Sequence, residues 1–436
     1  MLPLLLLGCS SCSRLLDLPP ATPGPGFDAQ PNILLVVIDT LRVDRLSLSG
    51  YPRPTSPELD ARAAAGLLFT NVWAPTSWTR PSVAAMLTGL HPAALGISDE
   101  RQDAIPPAAP MLTETLQSAG YATFGMTANP NLNARFGFDR GFDTYIDSEV
   151  MFDWMLKDGT DGISATHNLL PTSRDISARA LEFARSRPDQ PAFLFLDMME
   201  VHEHTRHHTS LMTRPEHQGT FESPYDDAIR QLSADLDALI TDLTDLPGWQ
   251  DSIVVITSDH GEGLDSHPSV PDSRFHGRHL YDSQVRVPLI VWSPAGQAGT
   301  GSVDALLSLE DMPALLAGLA GLTPDPAPWH AAARAHVSLE TRFRGMDKIG
   351  ITDGVWLYIE SRDAWGESLP VELQRVGSLQ DGPTTDQAAA ASAITAQLQG
   401  TLSSWLTDNP HAEPHLTEED LSAEMEALLE SIGYLE

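Results

Sequence analysis

The 436-residue sequence contains only two lysines, Lys157 and Lys348, and only two cysteines, Cys9 and Cys12. With so few ammonium groups, a site for an anion has to be built from arginine, histidine, backbone N–H groups or a metal ion. Both cysteines sit at the N-terminus, so the body of the chain has neither a disulfide nor a thiolate metal site. Positive charge is scarce throughout. The formal net charge of −33 speaks against nucleic acid and anionic membrane surfaces as partners. Long apolar runs are missing too, and the leucine-rich stretch before Cys9 is too short to span a bilayer.

That stretch ends in Leu6-Leu-Gly-Cys9, which resembles a bacterial lipoprotein cleavage box. Residues 1–9 are therefore expected to be a signal segment whose processing leaves a lipid on Cys9. Residues 10–31, rich in Pro, Gly, Ser and Ala, are expected to form a flexible tether. On this reading the protein is lipid-anchored in the cell envelope, facing the periplasm or exterior, with the lipid as its only membrane attachment.

Further along, short β-branched runs alternate with helical patterns. Ile33-Leu-Leu-Val-Val-Ile38, Phe193-Leu-Phe-Leu-Asp-Met198, Ser252-Ile-Val-Val-Ile-Thr257 and Val287-Pro-Leu-Ile-Val-Trp292 read as strands buried on both faces. Between them, Tyr225 to Leu246 carries an apolar stripe at helical spacing, and Leu112 to Ala119 is a helix closed by Gly120. The alternation predicts an α/β fold, a mostly parallel central sheet flanked by helices, over residues 32–335. From about residue 336 the pattern changes to short strands followed by two helices, which predicts a smaller α+β subdomain over 336–436.

The stretch Ala74-Pro-Thr-Ser-Trp-Thr-Arg-Pro-Ser-Val-Ala-Ala-Met-Leu-Thr-Gly89 runs from a polar loop into an apolar helix, with Thr79 expected as its cap. A hydroxyl there lies at the positive end of a helix dipole, among free N–H groups that would stabilise an anion bonded to its oxygen. Thr79 is thus either a plain cap or a nucleophile. Asp39 ends the first strand, while Asp259 and His260 end another, at the sheet edge where open α/β folds place ligands. Two carboxylates, an imidazole and the Thr79 hydroxyl make a mixed oxygen and nitrogen shell suited to one divalent ion, such as Ca²⁺, Mn²⁺, Zn²⁺ or Mg²⁺.

The Thr79 frame resembles the sulfatase signature Cys-x-Pro-Ser-Arg followed by an apolar run and Leu-Thr-Gly, with Thr79 in place of the modified cysteine and Val83 in place of the arginine. Pro31-Asn-Ile-Leu-Leu-Val-Val-Ile-Asp39, Ala119-Gly-Tyr-Ala-Thr123, Phe136-Gly-Phe-Asp-Arg-Gly-Phe142, Thr257-Ser-Asp-His-Gly-Glu262, Phe275-His-Gly-Arg-His-Leu-Tyr281, Val285-Arg-Val-Pro-Leu289 and Ile432-Gly-Tyr-Leu435 are similar to sulfatase segments in the same order. The resemblance implies the alkaline phosphatase superfamily fold, with Asp39, Thr79, Asp259 and His260 as metal ligands. It also implies His202 and His276 as groups that touch the substrate and move its proton. Arg80 and Asn129 complete the expected contacts to an anionic ester.

Three departures bear on the chemistry. Threonine cannot become the formylglycine aldehyde, the metal-binding residue after Asp39 is replaced by Thr40, and the two lysines that grip sulfate are replaced near Asn129 and His276. The expected activity is hydrolysis or transfer of a sulfate or, more in keeping with threonine, a phosphate ester. The alternative is a catalytically inactive sulfatase-like binding protein. His204, His207, His208, His267 and His279 are expected on solvated loops, with the alternative for His267 that it supports the metal ligands from behind.

Overall fold

The computed structural model describes residues 18–27, 29–98, 103–150, 172–204, 222–264, 266–267, 270–323, 328–343, 346–363, 365–377 and 387–416. Cys9, His207, His208, Lys157 and the helix expected after Thr417 lie outside them. Among the described residues, the nine strands of the central sheet are β1 (Asn32–Ile38), β2 (Leu67–Trp73), β3 (Ala122–Thr127), β4 (Thr144–Ile146), β5 (Ala192–Met198), β6 (Ser252–Thr257), β7 (Arg286–Trp292), β8 (Gly301–Val303) and β9 (Leu307–Ser308). Their order is β9-β2-β7-β6-β1-β5-β3-β4, with β8 also pairing β2. Strands β6, β1, β5, β3 and β4 run parallel, and β7 is antiparallel to both neighbours.

The continuous apolar runs follow from helices packed on both faces. Ile33, Leu35 and Val37 face α2 (Thr79–Thr88), α3 (Leu112–Ser118) and α6 (Met312–Leu319). Leu34, Val36 and Ile38 face α1 (Pro57–Ala64), α4 (Ser173–Ser186) and α5 (Glu222–Thr244). With every side chain from Ile33 to Ile38 at most 1% exposed, each contributes about 1.5–3 kcal/mol of burial, and the strand cannot slip without misplacing Asp39 at its end.

The C-terminal unit is a four-stranded antiparallel sheet, β10 (Val337–Phe343), β11 (Met346–Thr352), β12 (Trp356–Arg362) and β13 (Glu372–Arg375), covered by α7 (Ser392–Asp408). It joins the main unit through an apolar cluster of Trp73, Leu280, Val285, Val337, Leu339 and Leu357. The expected subdomain is therefore present.

The expected tether needs narrowing. The N–H groups of Ala21 and Thr22 donate to the carbonyls of Ser302 and Thr300, each at 2.8 Å, so this part of the segment is docked on the sheet edge at β8. A Pro-rich segment can still offer its non-proline N–H groups to an open edge.

Candidate active site

The site is built on four adjacent strands of the parallel set, β6, β1, β5 and β3. Asp39 follows β1, Ser258-Asp-His260 follows β6, Asp197 is the penultimate residue of β5, and Asn129 lies two residues beyond β3. The loops at these ends are tied together. The Ser258 hydroxyl donates to the carbonyl of Ile38 at 2.6 Å, and the Thr40 N–H donates to Asp259 Oδ1 at 3.2 Å. Thr40 has a φ of 61°, a left-handed conformation costly for a β-branched residue, and it lies beside Asp39.

Helix α2 enters this edge from above. Thr79 is its first residue and Trp78 occupies the cap position without a side-chain cap bond, which corrects the expectation that Thr79 is the cap. With helical backbone, Thr79 directs its hydroxyl elsewhere, and the first turn is anchored by the Ser82 hydroxyl, which donates to the Asp259 carbonyl at 2.6 Å. The Thr79 hydroxyl lies 3.2 Å from His260 Nε2. His260 Nδ1 donates to the Gly261 carbonyl at 2.8 Å, which leaves Nε2 as a lone-pair donor facing Thr79.

His260 Nε2 is 3.3 Å from Asp259 Oδ2 and 4.0 Å from Asp39 Oδ1. Those two oxygens are buried and have no hydrogen-bond partner among the described residues. Burial and the Asp259 and Asp197 charges push the Asp39 carboxyl well above its ordinary range, and burial raises Asp259 to about 6. Burial and the neighbouring His276 hold His260 well below its usual value, so its ring is neutral. Two orphaned carboxylate oxygens facing a neutral imidazole, all within 4.8 Å of one another, fit the donor set of a divalent cation.

Two further imidazoles adjoin this cluster. The His276 ring lies 4.6 Å from His260 and 5.1 Å from His202, centroid to centroid. His276 Nδ1 donates to Glu262 at 3.0 Å, and His202 Nδ1 to Glu203 at 3.0 Å, so each buried carboxylate leaves the opposite nitrogen of its ring available. Burial alone would lower His202, but the Glu203 hydrogen bond and the Glu203 and Glu262 charges raise it above its usual value. The fold thus brings His202, His260 and His276 together with Thr79, Asp39 and Asp259.

Asn129 donates to Asp39 Oδ2 at 2.6 Å and to the Thr79 hydroxyl at 3.4 Å. Arg80 is buried, and its guanidinium donates to Asn131 Oδ1 at 3.1 Å and to the Asp103 carbonyl at 3.3 Å while lying 3.6 Å over the Phe136 ring. His204, His267 and His279 are also buried, which corrects their placement on solvated loops: His204 packs on Tyr225, while His267 and His279 both stack on Tyr281.

Sequence reasoning missed three residues. Glu203 and Glu262 adjoin recognised histidine and metal motifs, and spacing alone does not show their pairing. Asp197 is 0% exposed, with Oδ2 accepting from Thr127 at 2.8 Å and Oδ1 without a partner among the described residues. Burial and the Asp259 charge push its carboxyl up to about 7. Its signal was visible as a carboxylate inside an otherwise apolar run.

The sulfatase family model matches residues 31–322. The chain is 27% identical over 332 residues to arylsulfatase A of Homo sapiens, covering 67% of this chain and 64% of that protein. It is 26% identical over 347 residues to N-acetylgalactosamine-6-sulfatase of Homo sapiens, covering 69% and 64%. The chain thus spans less than two thirds of the length of these relatives. A solved phosphonate monoester hydrolase of Agrobacterium radiobacter superposes with a TM-score of 0.64 at 19% identity, over 87% of this chain and 96% of that one. A putative sulfatase of Bacteroides thetaiotaomicron superposes with a TM-score of 0.65 at 16% identity, over 87% and 93%. At these identities the solved structures speak for the fold.

Proposed function

Because the chain belongs to the sulfatase family, we propose that it is a metal-dependent hydrolase or transferase of anionic esters, phosphate esters rather than sulfate esters, with Thr79 as nucleophile. One observation carries this reading: the Thr79 hydroxyl stands at the start of α2, 3.2 Å from His260 Nε2 and beside the partnerless oxygens of Asp39 and Asp259. A plain structural threonine has no need of that company.

Asp39, Asp259, His260 and Thr79 would hold the divalent cation, which supplies Lewis-acid polarisation and lowers the hydroxyl's pKa. Thr79 enters as the alkoxide, its proton lost to solvent. Its oxygen attacks phosphorus, the bond to the leaving oxygen breaks, and the imidazolium of His276 protonates that oxygen. His202 holds a non-bridging oxygen, while Asn129 orients Asp39 and Thr79. In the second half the neutral His276 takes a proton from water or an acceptor alcohol, which attacks the Thr79 ester and releases the threonine oxygen. A phosphoryl threonine can be resolved by such displacement. Threonine has no aldehyde hydrate through which a sulfate ester could be eliminated, which favours phosphorus as the reacting atom.

The test is turnover of sulfate monoesters, phosphate monoesters and phosphate diesters by the purified protein and by Thr79→Ala, with metal content measured on both. Loss of phosphoester turnover in Thr79→Ala supports the nucleophile, and turnover that survives overturns it. A metal-loaded wild-type protein that turns over nothing is the binding protein instead. The lipid anchor on Cys9 belongs to the same proposal, and acyl labelling that is absent from Cys9→Ser tests it.

A further inference from the structure

We infer that Tyr225 is a positioning residue for the cation site. Its hydroxyl, reaching the end of β1 from the sheet face opposite α2, holds the Asp39-Thr40 turn in the shape that presents Asp39 and Asp259 to the ion. This rests on the reading of Asp39, Asp259, His260 and Thr79 as cation ligands.

Tyr225 belongs to α5 and stands 185 residues from Thr40 along the chain. It packs with Leu34, Val36, Ile38 and Leu41, whereas Val83, Met86 and Leu87 of α2 pack with Ile33, Leu35 and Val37 on the other face of the sheet. Thr79 thus arrives from one side and Tyr225 from the other, so Tyr225 acts through the backbone of β1. Its hydroxyl donates to the Thr40 carbonyl at 2.6 Å and accepts from the Arg42 N–H at 2.9 Å. One oxygen bridges both ends of the turn. Tyr225 and Thr40 are 0% exposed and Arg42 is 1% exposed, so a ring without the hydroxyl would strand two buried main-chain groups.

The strained residue sits between those two bonds. Thr40 keeps its φ of 61° only while its surroundings over-determine it. In that conformation the Thr40 N–H donates to Asp259 Oδ1 at 3.2 Å, and the His260 N–H donates to the same oxygen at 2.8 Å. With Oδ1 engaged twice, Asp259 leaves Oδ2 facing His260 Nε2, 3.3 Å away. Thr40 has no carboxylate to offer an ion, yet its peptide N–H orients one. Loss of the Tyr225 hydroxyl therefore loosens Asp39 and Asp259 together. A second tie, from the Leu41 N–H to the Ser258 hydroxyl at 2.9 Å, remains, so the site is weakened rather than abolished.

The experiment titrates the tightest-binding of Mn²⁺, Zn²⁺, Mg²⁺ and Ca²⁺ into chelator-stripped protein by calorimetry, with urea unfolding of the same stripped samples. Tyr225→Phe removes one oxygen and keeps the ring, and it is expected to raise the cation Kd about 10- to 100-fold. Ile229→Val, one turn along α5 in the same apolar cluster, is expected to lower the urea midpoint and leave Kd within about twofold. Glycine reaches positive φ without steric cost, so on a Thr40→Gly background the loss caused by Tyr225→Phe should shrink to about threefold or less. A folded Tyr225→Phe with the wild-type Kd overturns the inference. An equal loss on the Thr40→Gly background also overturns it, because that is the mark of packing alone. If Tyr225→Phe does not fold, hydrogen exchange on wild type decides: by reciprocity the ion should slow exchange of the Arg42 amide roughly tenfold or more, and an unchanged rate overturns the inference. A wild type that binds none of the four ions overturns the cation reading and the inference with it, whereas wild-type binding that Tyr225→Phe leaves undiminished overturns the inference alone.

Discussion

Glu262 accepts a hydrogen bond from Nδ1 of His276 at 3.0 Å, with both side chains largely buried. The bond fixes the ring's tautomer and orientation, so in the proposed mechanism Nε2 of His276 is the nitrogen that meets the reacting atoms. Glu262→Gln removes the charge and offers a competing donor while keeping the shape. It is expected to lower kcat roughly 10- to 100-fold and to leave KM nearly unchanged, because orientation matters most in the transition state. An unaltered kcat would remove Glu262 from the mechanism.

Cation removal should leave a pH signature in stability. Without the ion, the carboxyls of Asp259 and Asp197 titrate near about 6 and about 7 in the fold, above the ordinary value of about 3.9 that the unfolded chain retains. Protons therefore stabilise the fold. This contribution is fully present below about pH 4 and is lost as pH rises through 6 and 7. In the proposed site, cation binding needs the Asp259 carboxylate ionised. The gap in Tm between cation-loaded and chelated protein should widen from pH 5.0 to pH 7.5, and calorimetry would register a gap that narrows as failure of the assignment.

The loop after β6 depends on close backbone approach. A Cβ on Gly261 would collide with the Ser283 carbonyl, and one on Gly263 with the Ser273 carbonyl. Relief requires movement of the backbone that carries Asp259 and His260. Gly261→Ala should cost about 1–3 kcal/mol of stability, the usual price of overpacking, and should weaken cation binding more than a distant substitution of equal cost. Urea unfolding and metal titration measure the two effects separately.

How far the sequence discloses this site depends on the kind of signal. Asp39 and Asp259 end apolar runs, so strand and ligand position are read together, and their convergence follows once β6 and β1 are neighbours. Asp197 sits within its run, where alternation alone cannot say which face it takes. Only the registers of Val37 and Thr127 do so. Cap preference places the start of α2 one residue late, because Thr79 is a good cap and Trp78 a poor one, and contacts to His260 and Asp259 override that preference. The buried state of His267 and His279 depends on stacking with Tyr281 and leaves no periodic trace.

Arg80 separates gripping the substrate from holding the scaffold. Its guanidinium donates to Asn131 Oδ1, Asn131 Nδ2 donates to Asn129 Oδ1, and Asn129 Nδ2 donates to Asp39 Oδ2. Burial and the Arg135 charge hold it at about 9, well below the usual arginine range, so its charge is expensive to keep in this setting. Arg80→Met retains most of the packing on Phe136 but removes the first donor of the chain. Asn131 and Asn129 then lose orientation, so kcat should fall by about tenfold while KM for the ester stays within about twofold. If Arg80 instead grips the anion, as its place in the Thr79 motif suggests, KM rises by tenfold or more and kcat changes little. Steady-state kinetics on this one variant, with Tm as a control for folding, separates the two roles.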